Sequence, residues 1–450
     1  MRVPASGNVT VTATVLDSGG AAVAGEAVSF TGPSGATFSP SSTTTDSAGI
    51  ATTTLDLRDR WATPGSTATV AATAGGETIT QGFSVLGSNV LVFGKGFTST
   101  PEQTELVFPS PVKQIAAGTY SDADPYNHLE MSLFSVALLQ DGTVWTKGTN
   151  ETGQLGDGTK TNRSTWAQVE GLSPVIQIAA GWARVVVLHA NGTVSNWGKC
   201  NGPNGPVDQL TPVKVPGLTT VKQIAHSPGL EAQYSGCSFA LLTDGSVKAW
   251  GTNMYGNAGT GIVGSNPWNT PTQVAGLTSG VAQVGAGGVH AGAVLSDGTV
   301  RTWGNGGSGQ LGNGATGERW SPGTVTGISG QSALLAGGVD NTYVLMSDGS
   351  VRSSGASQNS DGGETTTFDV VPGLTSGVVQ ISVTNNTGHA LMDDGSIRAW
   401  GFNGDGQLGN GTTTDQRPAI TLTTIPAGRA VSRLAEPSAA ARTTYLVLAT

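Results

Sequence analysis

The sequence predicts an all-β protein in two parts: a β-sandwich over residues 1–86 and a β-propeller over residues 88–450. Three observations carry this expectation. First, an Asp-Gly or Asn-Gly pair between apolar runs returns at Asp141, Asn191, Asp244, Asp297, Asp348 and Asp394, with gaps of 50, 53, 53, 51 and 46 residues. A period of roughly 40–50 residues holding several strands points to a propeller with one blade per repeat. Second, the chain has 68 glycines while charged residues make up only 11%, a composition suited to many short strands joined by tight turns. Third, residues 1–86 lack the repeat but alternate apolar and polar residues between turn signals.

Taken in order, Val9 to Val15 alternates as a half-buried strand does, and Asp17-Ser18-Gly19-Gly20 turns the chain. Ala27 to Phe30, Ile50 to Leu55, Ala68 to Ala72 and Ile79 to Val85 follow as strands, with Thr45 to Gly49 as a further turn. Strands spaced this way over about 85 residues make a sandwich. The order VTATVLDSGGAAVAGEAVSF … TDSAGIATTTL resembles the bacterial Ig-like domain of invasin and intimin type, which implies a stalk module of a surface adhesin. The first strand usual in that family, upstream of Pro4, is expected to be absent, and the chain is read as a piece of a longer one. The Gly87-Ser88 joint is short, so rigid coupling to the next domain is expected.

Each later unit reads as a four-stranded meander, strands A to D. In the third, A is Val221 to Ile224, B is Phe239 to Leu242, C is Val247 to Trp250, and D surrounds Gln273-Val274. Asp-Gly marks the B–C hairpin, expected as a type I′ turn with φ > 0 at both central residues. Trp197, Trp250, Trp303 and Trp400 share one register before a glycine and are assigned to packing between blades.

The repeat V-x-Q-I-A-A-G … A-L-x-x-D-G-x-V-x-x-W-G-x-N-x-x-G-Q-L-G resembles that of the regulator of chromosome condensation family, which implies a seven-bladed propeller. Gly-Gln-Leu-Gly is intact at Gly153, Gly309 and Gly406, becomes Gly256-Asn257-Ala258-Gly259 in the third unit, and is missing from the second. The fifth unit has Ser354-Gly355 in place of Trp-Gly. Six units leave a seventh blade, shared between residues 89–111 and 430–450. Val431 to Leu434 and Tyr445 to Leu448 supply its strands A and B, Val90 to Gly94 its strand C with Phe93 at the Trp position, and Glu105 to Phe108 its strand D. Closing a ring in this way removes exposed sheet edges.

The meander puts the A–B and C–D loops on one face and the Asp-Gly turns on the other, where the Ig-like domain and the C-terminus are expected to emerge. The first face carries the candidate binding residues Trp182 in an A–B loop, Trp166, Trp268 and Trp320 at the entry to strand D, and Tyr120 and Tyr126 in the long loop from Gly118 to Ser132. Aromatics on loops held by a rigid scaffold make binding surfaces; the competing reading is that the tryptophans cap the blade rims. Asp122, Asp124 and Asn127 lack the glycine and bidentate glutamate of a calcium loop. His290 and His389 are read as one shared register at the start of strand B, alongside Cys237, and as core. Cys200 and Cys237 fall in adjacent blades, and whether they bond is left open.

No metal spacing, nucleophile elbow, phosphate loop or dinucleotide fingerprint occurs. No catalytic residue, metal site or cofactor is therefore expected. With net charge −9 and no basic cluster, nucleic acid is not an expected partner. Nor does any apolar run reach the roughly 18–20 residues of a membrane span. Met1-Arg2-Val3-Pro4 leads straight into strand-like sequence, so no signal peptide is expected. The sequence thus reads as a non-enzymatic recognition or adhesion protein binding a protein or glycan, at a bacterial cell surface or on a phage virion. The alternative is an enzyme inhibitor similar to propeller-type β-lactamase inhibitors; a nucleotide exchange factor is disfavoured by the bacterial module and the acidic balance.

Overall fold

In a computed structural model, the structure describes residues 2–4, 8–32, 37–56, 67–86, 90–94, 102–103, 108–120, 132–202, 205–227, 236–356, 364–384, 386–425, 430–435 and 443–448. The chain divides into two compact units, one formed by residues 1–90 with 103–111 and the other by residues 91–102 with 112–449. Among the described residues every regular element is a strand.

The first unit is a sandwich of two sheets. One runs in the order Arg2–Pro4, Glu77–Leu86, Thr67–Ala74, Ala27–Thr31, Ser42–Thr44; the other runs Asn8–Thr14, Ile50–Asp56, Thr37–Ser39. Alternation along Ala27–Thr31 turns Val28 and Phe30 inward, where they meet Ala13 and Ala51, and Phe38 stacks on Phe30 at 6.3 Å. Asp17 Oδ1 accepts from the Gly19 and Ala21 N–H groups, and Asp46 Oδ1 from Ala48 and Ile50, so both turns are stapled by their own aspartate. The expected absence of a first strand is corrected: Arg2–Pro4 pairs in parallel with Ser84 to Leu86.

The second unit is a seven-bladed propeller of four-stranded antiparallel sheets. Blades 1 to 6 run in sequence from Val112–Tyr120 to Gln416–Thr421. Blade 7 joins the two ends of the repeat region, in the order Glu102–Gln103, Val90–Gly94, Thr443–Leu448, Val431–Leu434. The shared blade is therefore present, with Glu102–Gln103 beside Val90–Gly94; of the expected strand Glu105 to Phe108, residues 105–107 lie outside the described residues. Across the last seam of the ring, Ser135 Oγ of blade 1 and Tyr445 OH of blade 7 share a hydrogen bond of 2.8 Å.

The hairpin signal is right and its turn type is not. In blade 1 the Gly142 N–H bonds to the Leu139 carbonyl and the Leu139 N–H to the Thr143 carbonyl, and the same pair recurs at Leu295 with Gly298 and Thr299. This is a type I turn followed by a left-handed glycine, the three-residue hairpin with a bulge. Gly142 has φ 84° while Asp141 has no positive φ. The aspartate is selected instead because its Oδ1 accepts from the N–H and hydroxyl of Thr143, a contact repeated at Asp244 with Ser246 and Asp297 with Thr299.

Two devices hold blade to blade. The glutamine of V-x-Q-I grips the next blade's strand A: Gln283 Oε1 accepts from the Leu335 N–H, and its Nε2 donates to the Leu335 carbonyl. Gln177 does the same to Ile224, and Gln223 to Val284. Blade 5 has Leu334 at this position and blade 7 has Arg433. The second device is the C–D loop. Its last glycine lies on the aromatic of the following blade: a Cβ added at Gly156 would stand 2.8 Å from Trp197 Nε1, and one at Gly409 2.8 Å from Phe93. The Trp197 and Trp303 indoles donate to the Gln154 and Asn257 carbonyls of the preceding blade's loop, both at 3.0 Å.

Candidate binding surface

The repeated polar residues of the C–D loops are consumed by the loops themselves. In blade 1, Asn150 Oδ1 accepts from the Leu155 N–H and its Nδ2 donates to the Thr159 carbonyl; in blade 6, Asn403 makes the same contacts with Leu408 and Thr412. Gln154 Oε1 takes the Thr152 N–H, and Arg163 pairs with Asp157 at 2.8 Å. Most of the recurring polar side chains are thus satisfied within the loop, with Gln407 Nε2 in blade 6 buried and unpartnered. A binding surface must come from residues the repeat does not share.

The expected site residues are scattered among four blades. Trp166 lies inside strand D of blade 1 (Arg163–Gln168), half-buried, with Lys147 Nζ 5.5 Å from its ring centroid. Burial lowers the Lys147 pKa. Trp182 sits in the A–B loop of blade 2 but is only 5% exposed, so it offers little surface. Trp268 lies within Gly264–Gln273, its backbone opposite Gly251, and its side chain is outside the described set. Tyr120 ends Val112–Tyr120 and is described in its backbone only, while Tyr126, Asp122, Asp124 and Asn127 lie outside the described residues.

Trp320 is the one that emerges. It belongs to strand D of blade 4 (Arg319–Thr324), is 44% exposed, and its indole donates to Glu318 Oε2 at 2.9 Å. Its backbone is clamped from the neighbouring blade, since the Gly261 N–H bonds to the Trp320 carbonyl and Gly256 packs beneath the ring. Directly after Gly261 come Ile262 and Val263, 57% and 37% exposed. Ile262 and Val263 of the blade 3 C–D loop and Trp320 of the adjoining blade 4 strand are thus exposed apolar residues flanking one backbone bond, Gly261 N–H to the Trp320 carbonyl. The three strand-D tryptophans do not share a register: Trp268 is opposite its strand-C glycine, whereas Arg163 and Arg319 hold that place in blades 1 and 4. They are not products of the repeat.

The buried titratable groups are structural. Trp197, Trp250, Trp303 and Trp400 are all in the core, as expected. His290 and His389 are buried, but their assignment to one register is corrected: His290 and Cys237 pair with Gly304 and Gly251, while His389 pairs with Ala399 and Thr387 takes the glycine-facing place. Burial pushes both histidines down to about 4. Cys200 and Cys237 are free and buried, and burial pushes the Cys237 thiol up to about 12. Among the described residues no group of His, Cys, Asp or Glu could hold a metal ion.

Residues 3–85 match the bacterial Ig-like domain (group 1), and residues 141–188 and 297–345 match the regulator of chromosome condensation (RCC1) repeat. Among relatives, the human E3 ubiquitin-protein ligase HERC2 is 29% identical over 307 residues, 66% of this chain but 6% of that protein. The chain thus spans a small fraction of that ligase. Among solved structures, human WBSCR16 is similar with a TM-score of 0.65 at 21% identity, over 80% of this chain and 98% of that one. Prp20p of Saccharomyces cerevisiae, described with its binding properties to Gsp1p and histones, is similar at 0.64 and 17% identity, over 81% and 92%. At these identities the structural likeness shows the fold.

Proposed function

We propose that this chain, a regulator of chromosome condensation repeat propeller carrying a group 1 bacterial Ig-like domain, is a non-enzymatic recognition protein whose propeller binds another macromolecule through its loop face. The carrying observation is the group of Ile262, Val263 and Trp320. It is exposed, apolar, clamped to a rigid blade and independent of the repeat. Anchors of this kind, a tryptophan beside aliphatic side chains, dominate protein interfaces.

A protein ligand is favoured over a glycan, because the group holds two aliphatic side chains and one ring and Prp20p is described as binding proteins. The Ig-like domain serves as a spacer, and display on a bacterial surface or a virion is the setting that module suits. The ligase activity named for HERC2 belongs to a chain of which this one matches 6%.

The test is a binding screen of the full chain against surface-protein and glycan arrays, repeated with Trp320→Ala and Ile262→Ser. The reading expects capture of a protein ligand, lost at least tenfold in either variant. Glycan capture alone would remove the protein assignment, and binding unchanged in both variants would remove the surface.

A further inference from the structure

Position seven before each Asp-Gly or Asn-Gly turn starts strand B, or in blade 1 lies two residues into it, and faces the next blade. It holds Phe134, Arg184, Cys237, His290, Asn341 and Thr387 in blades 1 to 6. Arg184 is 2% exposed, and among the described residues it is the one buried side chain of the Lys, Arg, Asp and Glu types. Its Nε and Nη1 have no hydrogen-bond partner. A guanidinium stays charged in proteins, and a buried charge without compensation is among the costliest arrangements a fold can hold.

Among the described residues Arg184 forms no ion pair, and the polar groups facing it from blade 3 are an indole, a hydroxyl and a neutral imidazole rather than a carboxylate. Alternation places Arg184 on the same side of Arg184–His189 as Val186 and Leu188, which pack against Ile224, Ala240 and Trp250 of blade 3. In that blade His226, Ser238 and Trp250 form one cross-strand row, since His226 pairs with Ser238 and Ser238 with Trp250. The Trp250 Nε1 is buried and unpartnered, as is His226 Nε2, while His226 Nδ1 meets Ser238 Oγ at 3.0 Å. The Arg184 charge is close enough to depress the His226 pKa, which burial chiefly lowers, to about 3.

The cause lies in the repeat. At the seams after blades 1 and 3, the tryptophan in this place donates to a carbonyl of the Gly-Gln-Leu-Gly-type loop. Blade 2 has no such loop; its C–D connection is the hairpin of Val194–Gly202 and Gly205–Lys214. The seam therefore loses an acceptor and gains a cation.

We propose that the blade 2–blade 3 seam is a binding site for a small monovalent anion of the halide class, held by Arg184 Nε and Nη1 with the Trp250 indole N–H. One formal positive charge with a few converging N–H donors matches one negative charge, and binding there would stabilise the native ring by mass action.

The full chain is unfolded thermally while chloride replaces gluconate at constant ionic strength, from roughly 1 to roughly 300 mM. Tm is expected to rise by several degrees with chloride, and Arg184→Met is expected to abolish the dependence. Crystals grown in bromide should carry an anomalous peak within hydrogen-bonding distance of Arg184 and Trp250 Nε1. A chloride-independent Tm in the unmodified chain would overturn the site without reference to any variant. So would an undiminished response in folded Arg184→Met, or a bromide peak only elsewhere.

Discussion

The seam between blades 1 and 2 and the seam between blades 2 and 3 are built to the same plan and finished differently. In the first, Phe134 and Val136 meet Trp197, whose indole donates to Gln154, and Gly156 lies flat on the ring. In the second, Arg184 stands in place of Phe134 and the Trp250 indole has no partner. The seam between blades 5 and 6 answers the same deficit in another way. There Trp400 Nε1 donates to Tyr343 OH at 3.2 Å, and the two rings meet edge to face at 5.5 Å. The repeat therefore specifies a clasp of loop carbonyl, glycine and tryptophan, and where the loop is lost the buried N–H must find another answer.

The largest expected effect tests whether the tryptophans are the clasp. Trp197→Ala and Trp303→Ala should each cost about 3–5 kcal/mol in urea unfolding, as removal of a fully buried large aromatic does. The comparison sharpens with phenylalanine. In halide-free buffer, Trp303→Phe gives up a hydrogen bond and strands the Asn257 carbonyl, whereas Trp250→Phe removes an N–H with no protein partner. The first should therefore cost roughly 1 kcal/mol more than the second, and equal losses would mean that the clasp carbonyl contributes nothing.

Acid provides the next test. His226, His290 and His389 are buried with pKa values of about 3, 4 and 4, below the ordinary 6.5, with burial the first cause in each. Their folded values are depressed, so below pH 6.5 the unfolded chain binds protons that the native chain refuses. Stability is then complete above pH 6.5 and falls toward pH 4, by up to ~1.4 kcal/mol per pH unit for each histidine. Urea titrations at stepped pH should show this slope, and His290→Gln should reduce it by about a third; a flat profile between pH 6.5 and 4 would contradict the burial of all three. A smaller effect probes closure of the ring. Tyr445→Phe removes the Ser135 contact across the last seam and should cost about 1 kcal/mol, read in the same unfolding assay.

Much of the fold was legible because it is written several times. Six Asp-Gly or Asn-Gly pairs set the register, and the unmatched halves at Val90 to Phe93 and Tyr445 to Leu448 could be joined because each carried part of the same pattern. What occurs once was harder. Glu102–Gln103 is too short to show alternation, and Thr37–Ser39, Ser42–Thr44 and Arg2–Pro4 in the sandwich are three residues each. His389 stands two residues past the glycine-facing place, a shift that residue type hides and distance to the turn shows. Thr387 and Arg184 both lie seven residues before their turns, which marks Arg184 as a charge at a core position in the sequence itself. Trp320 and Trp182 are alike in sequence as aromatics near loops, yet one is open and the other closed: the blade 4 tryptophan rides on Gly256 of the neighbouring loop, while the blade 2 tryptophan is buried beside Ala183, which adopts φ 49°.

The central claim is a division of labour: repeated residues hold the ring, and unrepeated ones meet the partner. Urea unfolding of Trp303→Ala beside Trp320→Ala tests it most directly. The account predicts a loss of about 3–5 kcal/mol for Trp303 and about 1 kcal/mol or less for the half-exposed Trp320. Equal losses, or a larger one at Trp320, would contradict it.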